Sequence, residues 1–167
     1  AVGLFEKVRL KSAIDELIGR LKAFHAGTRS YTMPQLQEQY DLLIMAKTAS
    51  LLSGACETGA IRAPAEQRQA MREFGLRLGM AFQIVDDLLD YTGDATITGK
   101  PVGADLREHK VTLPLIYALP RLSARQRREV SALMDTETPT DAQIAAVVEA
   151  VTEAGGLDYA RERAAAL

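Results

Sequence analysis

Phe82-Gln83-Ile84-Val85-Asp86-Asp87-Leu88-Leu89-Asp90 is the stretch on which fold and chemistry both turn. Gln83, Asp86, Asp87 and Asp90 stand at i, i+3, i+4 and i+7, so in a helix they share one face. Met80, Phe82, Ile84, Val85, Leu88 and Leu89 fill the other faces, the pattern of a helix surrounded by protein. Carboxylates this close repel one another and are costly to desolvate. Such a stripe is either the solvated side of an amphipathic helix or a set of ligands. A solvent face usually mixes Lys with Glu for i,i+4 pairing, and this one has neither. Oxygen donors at this spacing suit a hard divalent cation, above all Mg²⁺ held by one or two carboxylates and substrate phosphate.

Outward from the stripe the chain reads as helix. Ala and Leu together supply 47 of the 167 residues, both strong helix formers, and only Thr96-Ile97-Thr98 has strand character. The fold class is therefore all-α. Upstream, Pro64 opens the stripe's own helix, expected over Ala65–Tyr91, and an apolar helix is expected from Gln35 to Ile61. A first helix is expected from Leu4 to Phe24, with a turn over His25–Met33. Downstream, Gly93, Gly99, Pro101 and Gly103 interrupt Thr92–Val111 too often for a helix. Loops of that length are more often functional than idle. Thr112 is expected to cap a short helix bounded by Pro120. Ser123 caps a basic helix to Met134, and Thr140 with Gln143 forms a capping box for Asp141–Ala154. Gly155-Gly156 closes that helix before a last one over Leu157–Leu167.

Composition narrows the function classes. Twenty basic against 22 acidic side chains leave no basic footprint for nucleic acid. The single cysteine, Cys56, cannot form an internal disulfide and fits a reducing, cytoplasmic setting; it reads as a packing residue. The longest apolar run, Val111–Pro120, falls short of the ~20 residues a membrane span needs, and the start carries no leader pattern. Gly75 and Gly79 read as a close helix contact, and His109 as solvent-exposed and without a role.

Lys47 sits in an apolar helix with no acid nearby in sequence. It either snorkels to the surface or joins the carboxylates, with the Thr48 hydroxyl beside it, in gripping an anion such as a diphosphate. Lys100, Arg107 and Lys110 in the Gly-rich loop allow the same choice between surface connection and closure over phosphate. Asp105 reads as a helix cap or a lysine partner.

Lys47-Thr48-Ala49-Ser50-Leu51, the Phe82–Asp90 stretch, Gly99-Lys100-Pro101-Val102-Gly103-Ala104-Asp105-Leu106 and Lys110-Val111-Thr112-Leu113-Pro114 resemble, in order and spacing, the second half of the trans-polyprenyl diphosphate synthases. The resemblance implies an all-α bundle around a central cavity, here part of it, and a homodimer. It implies that Asp86, Asp87 and Asp90 correspond to the second aspartate-rich motif, with Asp86 the direct Mg²⁺ ligand. Lys47 and Lys100 correspond to lysines that grip the allylic diphosphate, with Lys110 close by. Thr48 and Gln83 correspond to polar residues that steady the allylic cation. The implied reaction is Mg²⁺-assisted ionisation of an allylic diphosphate, attack by isopentenyl diphosphate, and loss of a proton. The family's first aspartate-rich motif and the basic residues after it are absent from the sequence. The expectation is therefore a single all-α unit, 1–167, that forms the C-terminal portion of a longer synthase, with a large apolar surface left open. A non-catalytic subunit or degenerate homologue, and a class I terpene cyclase, are the alternatives.

Overall fold

The computed structural model describes residues 19, 33–93 and 102–167. The expected first helix, the Thr96-Ile97-Thr98 patch and Lys100 lie outside the described residues, as does most of the His25–Met33 turn. Every regular element among the described residues is helical.

Helix α1 spans Met33–Ile44 and buries Leu36, Tyr40 and Ile44, a strict i, i+4, i+8 row. The chain continues as a π-helical segment, Met45–Ala49, in which the Ser50 N–H reaches back to the Met45 carbonyl, and then as α2, Ser50–Gly59. The sequence predicts one uninterrupted helix here; the π segment, which carries Lys47 and Thr48, departs from that expectation. Inserting one residue per turn rotates the rest of the helix about its axis, and such segments recur at functional sites. Helix α3, Ala65–Thr92, matches its predicted span to within one residue.

Gly75 and Gly79 let α3 approach its neighbours closely, as their spacing predicts. A Cβ on Gly79 would stand 2.5 Å from Ala49 Cα, and one on Gly75 would stand 2.6 Å from the Leu52 carbonyl oxygen. Cys56 Sγ borders the Gly75 contact, consistent with a packing residue.

After the loop come α4 (Ala104–Arg107), α5 (Leu113–Ala118) with a 3₁₀ turn at Leu119–Arg121, α6 (Ala124–Asp135), α7 (Asp141–Glu153) and α8 (Gly156–Ala165). The one-turn α4 corrects the reading of this loop as free of helix: Gly103, at φ 76°, supplies the left-handed entry that lets one turn form. Helix α5 is apolar on every side, with Leu113, Pro114, Leu115, Ile116 and Ala118 all buried, so it forms the centre on which α1, α3, α7 and α8 converge. The predicted capping box of Thr140 with Gln143 is present, and the predicted Ser123 cap proves to be a full box with Gln126. Gly155, at φ 75°, ends α7.

Thr112 and His109 depart from expectation. Thr112 precedes α5 but makes no side-chain cap; its Oγ1 pairs with the buried Tyr91 hydroxyl at 3.2 Å. His109 is half-buried at φ 56°, with Nε2 2.9 Å from the Thr136 carbonyl oxygen, so it ties the loop to the end of α6. The expected open apolar surface is present: Phe74, Leu78, Phe82, Val85 and Leu89 are 44–62% exposed along one side of α3. No described element covers that side.

Candidate active site

The π segment and the C-terminal half of α3 meet side by side because Gly79 admits Ala49 against its backbone. One turn further along α3, Thr48 Oγ1 donates to Gln83 Oε1 at 2.9 Å. Gln83 Nε2 donates to Asp87 Oδ1 at 2.9 Å and, at 3.4 Å, to Asp86 Oδ2. Asp87 Oδ2 in turn accepts the Tyr40 hydroxyl from α1 at 2.7 Å. Thr48, Gln83, Asp87 and Tyr40 therefore form one chain of hydrogen bonds across three helical segments. Gln83 and Asp87 are each 5% exposed, whereas Asp86 and Lys47 are exposed and Asp90 is half-buried.

Desolvation dominates the electrostatics of Asp87. Burial pushes its carboxyl up to about 6; the Tyr40 and Gln83 hydrogen bonds pull it down, the Asp105 charge raises it, and the Lys47 charge lowers it. An unpaired buried carboxylate costs several kcal/mol, while each hydrogen bond to a charged group returns about 1.5–3 kcal/mol. The two donors offset part of that cost, and the raised pKa is what remains of it. Tyr40 is held far above its ordinary range by burial and by Asp87, so its hydroxyl remains a donor.

Asp90 joins α3 to the loop. Its Oδ2 accepts the Asp105 N–H at 3.1 Å, and its backbone carbonyl accepts the Gly103 N–H at 2.8 Å. Burial and the Asp105 charge raise its pKa. Asp105 is the lysine partner that its position allowed: Lys110 Nζ lies 2.8 Å from Asp105 Oδ1 and 2.7 Å from Glu108. Lys110 is thereby tied within the loop. Arg107 points away, pinned to the Pro139 carbonyl and to Asp141, which accounts for it as an anchor.

The predicted residues Lys47, Thr48, Gln83, Asp86, Asp87 and Asp90 thus lie on two adjoining segments, with Lys110 on the loop joined to Asp90. Tyr40 escapes the sequence reading. The available signal is its position seven residues before Lys47, two turns back on the same helix. Among the described residues no three His, Cys, Asp or Glu side chains converge as a ready-made metal cage. Asp86, exposed, and Asp90, half-buried at the loop edge, offer carboxylate oxygens, a donor type that fits a hard cation completing its shell with phosphate. No described helix is long and apolar enough to cross a membrane.

Known proteins resemble this chain over most of its length. The polyprenyl synthetase family model matches residues 4–151. The chain is 40% identical over 123 residues to the (2E,6E)-farnesyl diphosphate synthase of Mycobacterium tuberculosis, covering 71% of this chain and 34% of that protein. It is 39% identical over 157 residues to the all-trans-nonaprenyl-diphosphate synthase (geranyl-diphosphate specific) of Rhodobacter capsulatus, covering 86% of this chain and 48% of that one. A crystal structure of a polyprenyl synthase from Caulobacter crescentus, complexed with calcium and isoprenyl diphosphate, superposes with a TM-score of 0.74 at 32% identity, over 98% of this chain and 50% of that one. The chain spans half or less of the length of these relatives. A match over so much of its own length, with the motif residues gathered at one place in an all-helical fold, makes the chain a member of the polyprenyl synthetase family.

Proposed function

We propose that this chain carries part of the active site of a Mg²⁺-dependent prenyltransferase that condenses isopentenyl diphosphate with an allylic diphosphate to give a trans-polyprenyl diphosphate. The observation that supports the reading is the Thr48–Gln83 hydrogen bond, which joins the Lys47-Thr48 segment to the aspartate stripe. In this reading Asp86, the exposed carboxylate, is the direct metal ligand, Asp90 adds a second oxygen at the loop edge, and Asp87 lends its charge from behind. Mg²⁺, when bound, supplies positive charge where the diphosphate leaves. Lys47 meets the same diphosphate from the π segment, with Lys100 of the loop sequence as a second cation; Lys110 would join them only by exchanging its Asp105 and Glu108 partners for the diphosphate. The oxygens of Thr48 and Gln83 face the developing allylic cation as fixed dipoles that need no reorganisation. The complex of the Caulobacter relative with calcium and isoprenyl diphosphate is consistent with a divalent cation beside a diphosphate. A cytoplasmic homodimer is the form in which we expect the enzyme to work.

The test is mutational, in the longest natural form of the protein. Asp86→Ala is expected to lower kcat by at least ~10²-fold, as when a transition-state charge stabiliser is lost. A rate equal to that of the unmutated enzyme would remove Asp86 from the metal site. Lys47→Ala is expected to weaken allylic diphosphate binding, and unchanged KM and kcat would return Lys47 to the surface.

A further inference from the structure

Gln83 has two chemically different ends, and the site needs one of them in a particular place. Asp87, when ionised, only accepts hydrogen bonds, so the amide NH₂ of Gln83 must face it and the carbonyl oxygen is left for Thr48. That orientation holds only while Asp87 itself is held. Among the described residues the side chain from another helix that donates to Asp87 Oδ2 is Tyr40, itself 1% exposed and 47 residues distant in the chain. Tyr40 lies too deep to meet substrate. Its ring packs in the core beside Leu36 and Ile44 of the same helical row, where a phenylalanine would serve as well for packing. The hydroxyl is the part that packing does not explain.

We infer that Tyr40 is a positioning residue for prenyl transfer: through Asp87 it sets which end of the Gln83 amide faces Thr48, and so keeps the Gln83 carbonyl oxygen available to the allylic cation. The inference rests on the prenyl-transfer reading above for its functional consequence, but the hydrogen-bond relay itself can be measured without any activity. Without the Tyr40 hydroxyl, Asp87 is free to turn and the Gln83 amide is free to flip. A flipped amide places N–H donors, the positive end of its dipole, where the oxygen belongs. Ionisation then slows, while diphosphate binding through Lys47 is untouched.

Two arms test this in the longest natural form of the protein. In the first, ¹⁵N NMR of the Gln83 side-chain amide, assigned by its loss in Gln83→Leu, is compared between the unmutated protein, Tyr40→Phe and Asp87→Asn. Both substitutions are expected to move the Gln83 amide resonances and speed their hydrogen exchange; resonances that move in Asp87→Asn but not in Tyr40→Phe, or in neither, overturn the inference, whatever the enzyme does. In the second, Tyr40→Phe is expected to lower kcat by ~10-fold, the scale of one charge-assisted hydrogen bond, with KM for both diphosphates within about twofold of the original. The same substitution in a Gln83→Leu background is expected to change kcat little, because the group it positions is gone. An equal loss in both backgrounds overturns the inference by making Tyr40 merely structural. Absence of product from the unmutated enzyme would instead sink the prenyl-transfer reading and leave the first arm to decide the relay.

Discussion

Replacing Gly79 with alanine tests the contact on which the site is built. The new Cβ would stand 2.5 Å from Ala49 Cα, 3.1 Å from Ala49 Cβ and 3.2 Å from Ala49 N. Ordinary carbon contacts lie near 3.5–4.0 Å, so the π segment and α3 must part by roughly 1 Å. The obstacle is backbone, which has no rotamer to escape into. Overpacking of this kind costs about 1–3 kcal/mol. The better helix propensity of alanine offsets at most ~1 kcal/mol of it. Gln83 is one turn further along, and an opening of ~1 Å would carry the 2.9 Å Thr48–Gln83 hydrogen bond out of range. Gly54→Ala is the matched control. Gly54 is exposed within α2, and a Cβ there meets nothing within 4 Å. Propensity alone then predicts a gain of up to ~1 kcal/mol.

Urea unfolding followed by far-ultraviolet circular dichroism measures both variants. The midpoint is expected to fall for Gly79→Ala and to rise for Gly54→Ala, at unchanged slope. Equal stability of the two would refute the close approach, and with it the account of how Thr48 reaches Gln83.

Other contacts set three further outcomes. Gly103→Ala forces a side chain into a left-handed backbone at φ 76° and against Ile144, so it should cost at least ~1 kcal/mol in chemical denaturation; a neutral result would mean the loop leaves Asp90 without difficulty. Tyr91→Phe strands the buried Thr112 hydroxyl and is expected to cost about 1–3 kcal/mol, whereas Tyr91→Phe with Thr112→Val should cost less than the single change; a double variant worse than the single would contradict the pairing. Burial raises the Asp41 carboxyl above its ordinary 3.8, more than the Arg163 pairing lowers it. The folded state therefore holds that proton more tightly, and its stabilising effect, full below pH 3.8, is lost as pH rises through the raised value. Asp41→Asn should flatten that part of the stability curve, and identical slopes would show no such shift.

Much of the fold is legible in the sequence because its signals are local. Capping boxes at Ser123 and Thr140, the left-handed Gly155 and the 3.6-residue period of α3 each depend on residues a few positions apart, and each is where the pattern puts it. What escapes depends on contacts between distant segments. The π segment at Met45–Ala49 has a sequence as suited to an α-helix, and its helical neighbours on either side give no local sign of it. Thr112 looks like a cap because it opens a short helix with Pro114 in its first turn, but Tyr91, 21 residues earlier, pairs with the hydroxyl. His109 looks exposed because it lies among charged residues, and only the fold brings Thr136 to it. Periodicity puts four side chains on one stripe of α3, yet it says nothing of how deeply each one sits.

That depth separates two neighbours of identical chemistry. Asp86 and Asp87 differ by one step of the helix, and that step carries one into solvent and the other to 5% exposure. Environment gives like carboxylates unlike roles. A lysine bridged to Asp87 would have cancelled its charge and removed its influence on the site. The partners it has, a tyrosine hydroxyl and an amide, are neutral: they stabilise the carboxylate without neutralising it. The loop lysine among the described residues, Lys110, is bound to Asp105 and Glu108. Lys47 is exposed, lowers the Asp87 pKa through space, and has no ion pair among the described residues; the anion-binding role proposed for it needs that charge unspent. Among the described residues the stripe therefore keeps a negative charge behind Asp86, with Lys47 close enough to act on Asp87 through space. A solvated helix face usually pairs such charges off; the proposed role, holding a cation and a diphosphate together, would need them kept apart.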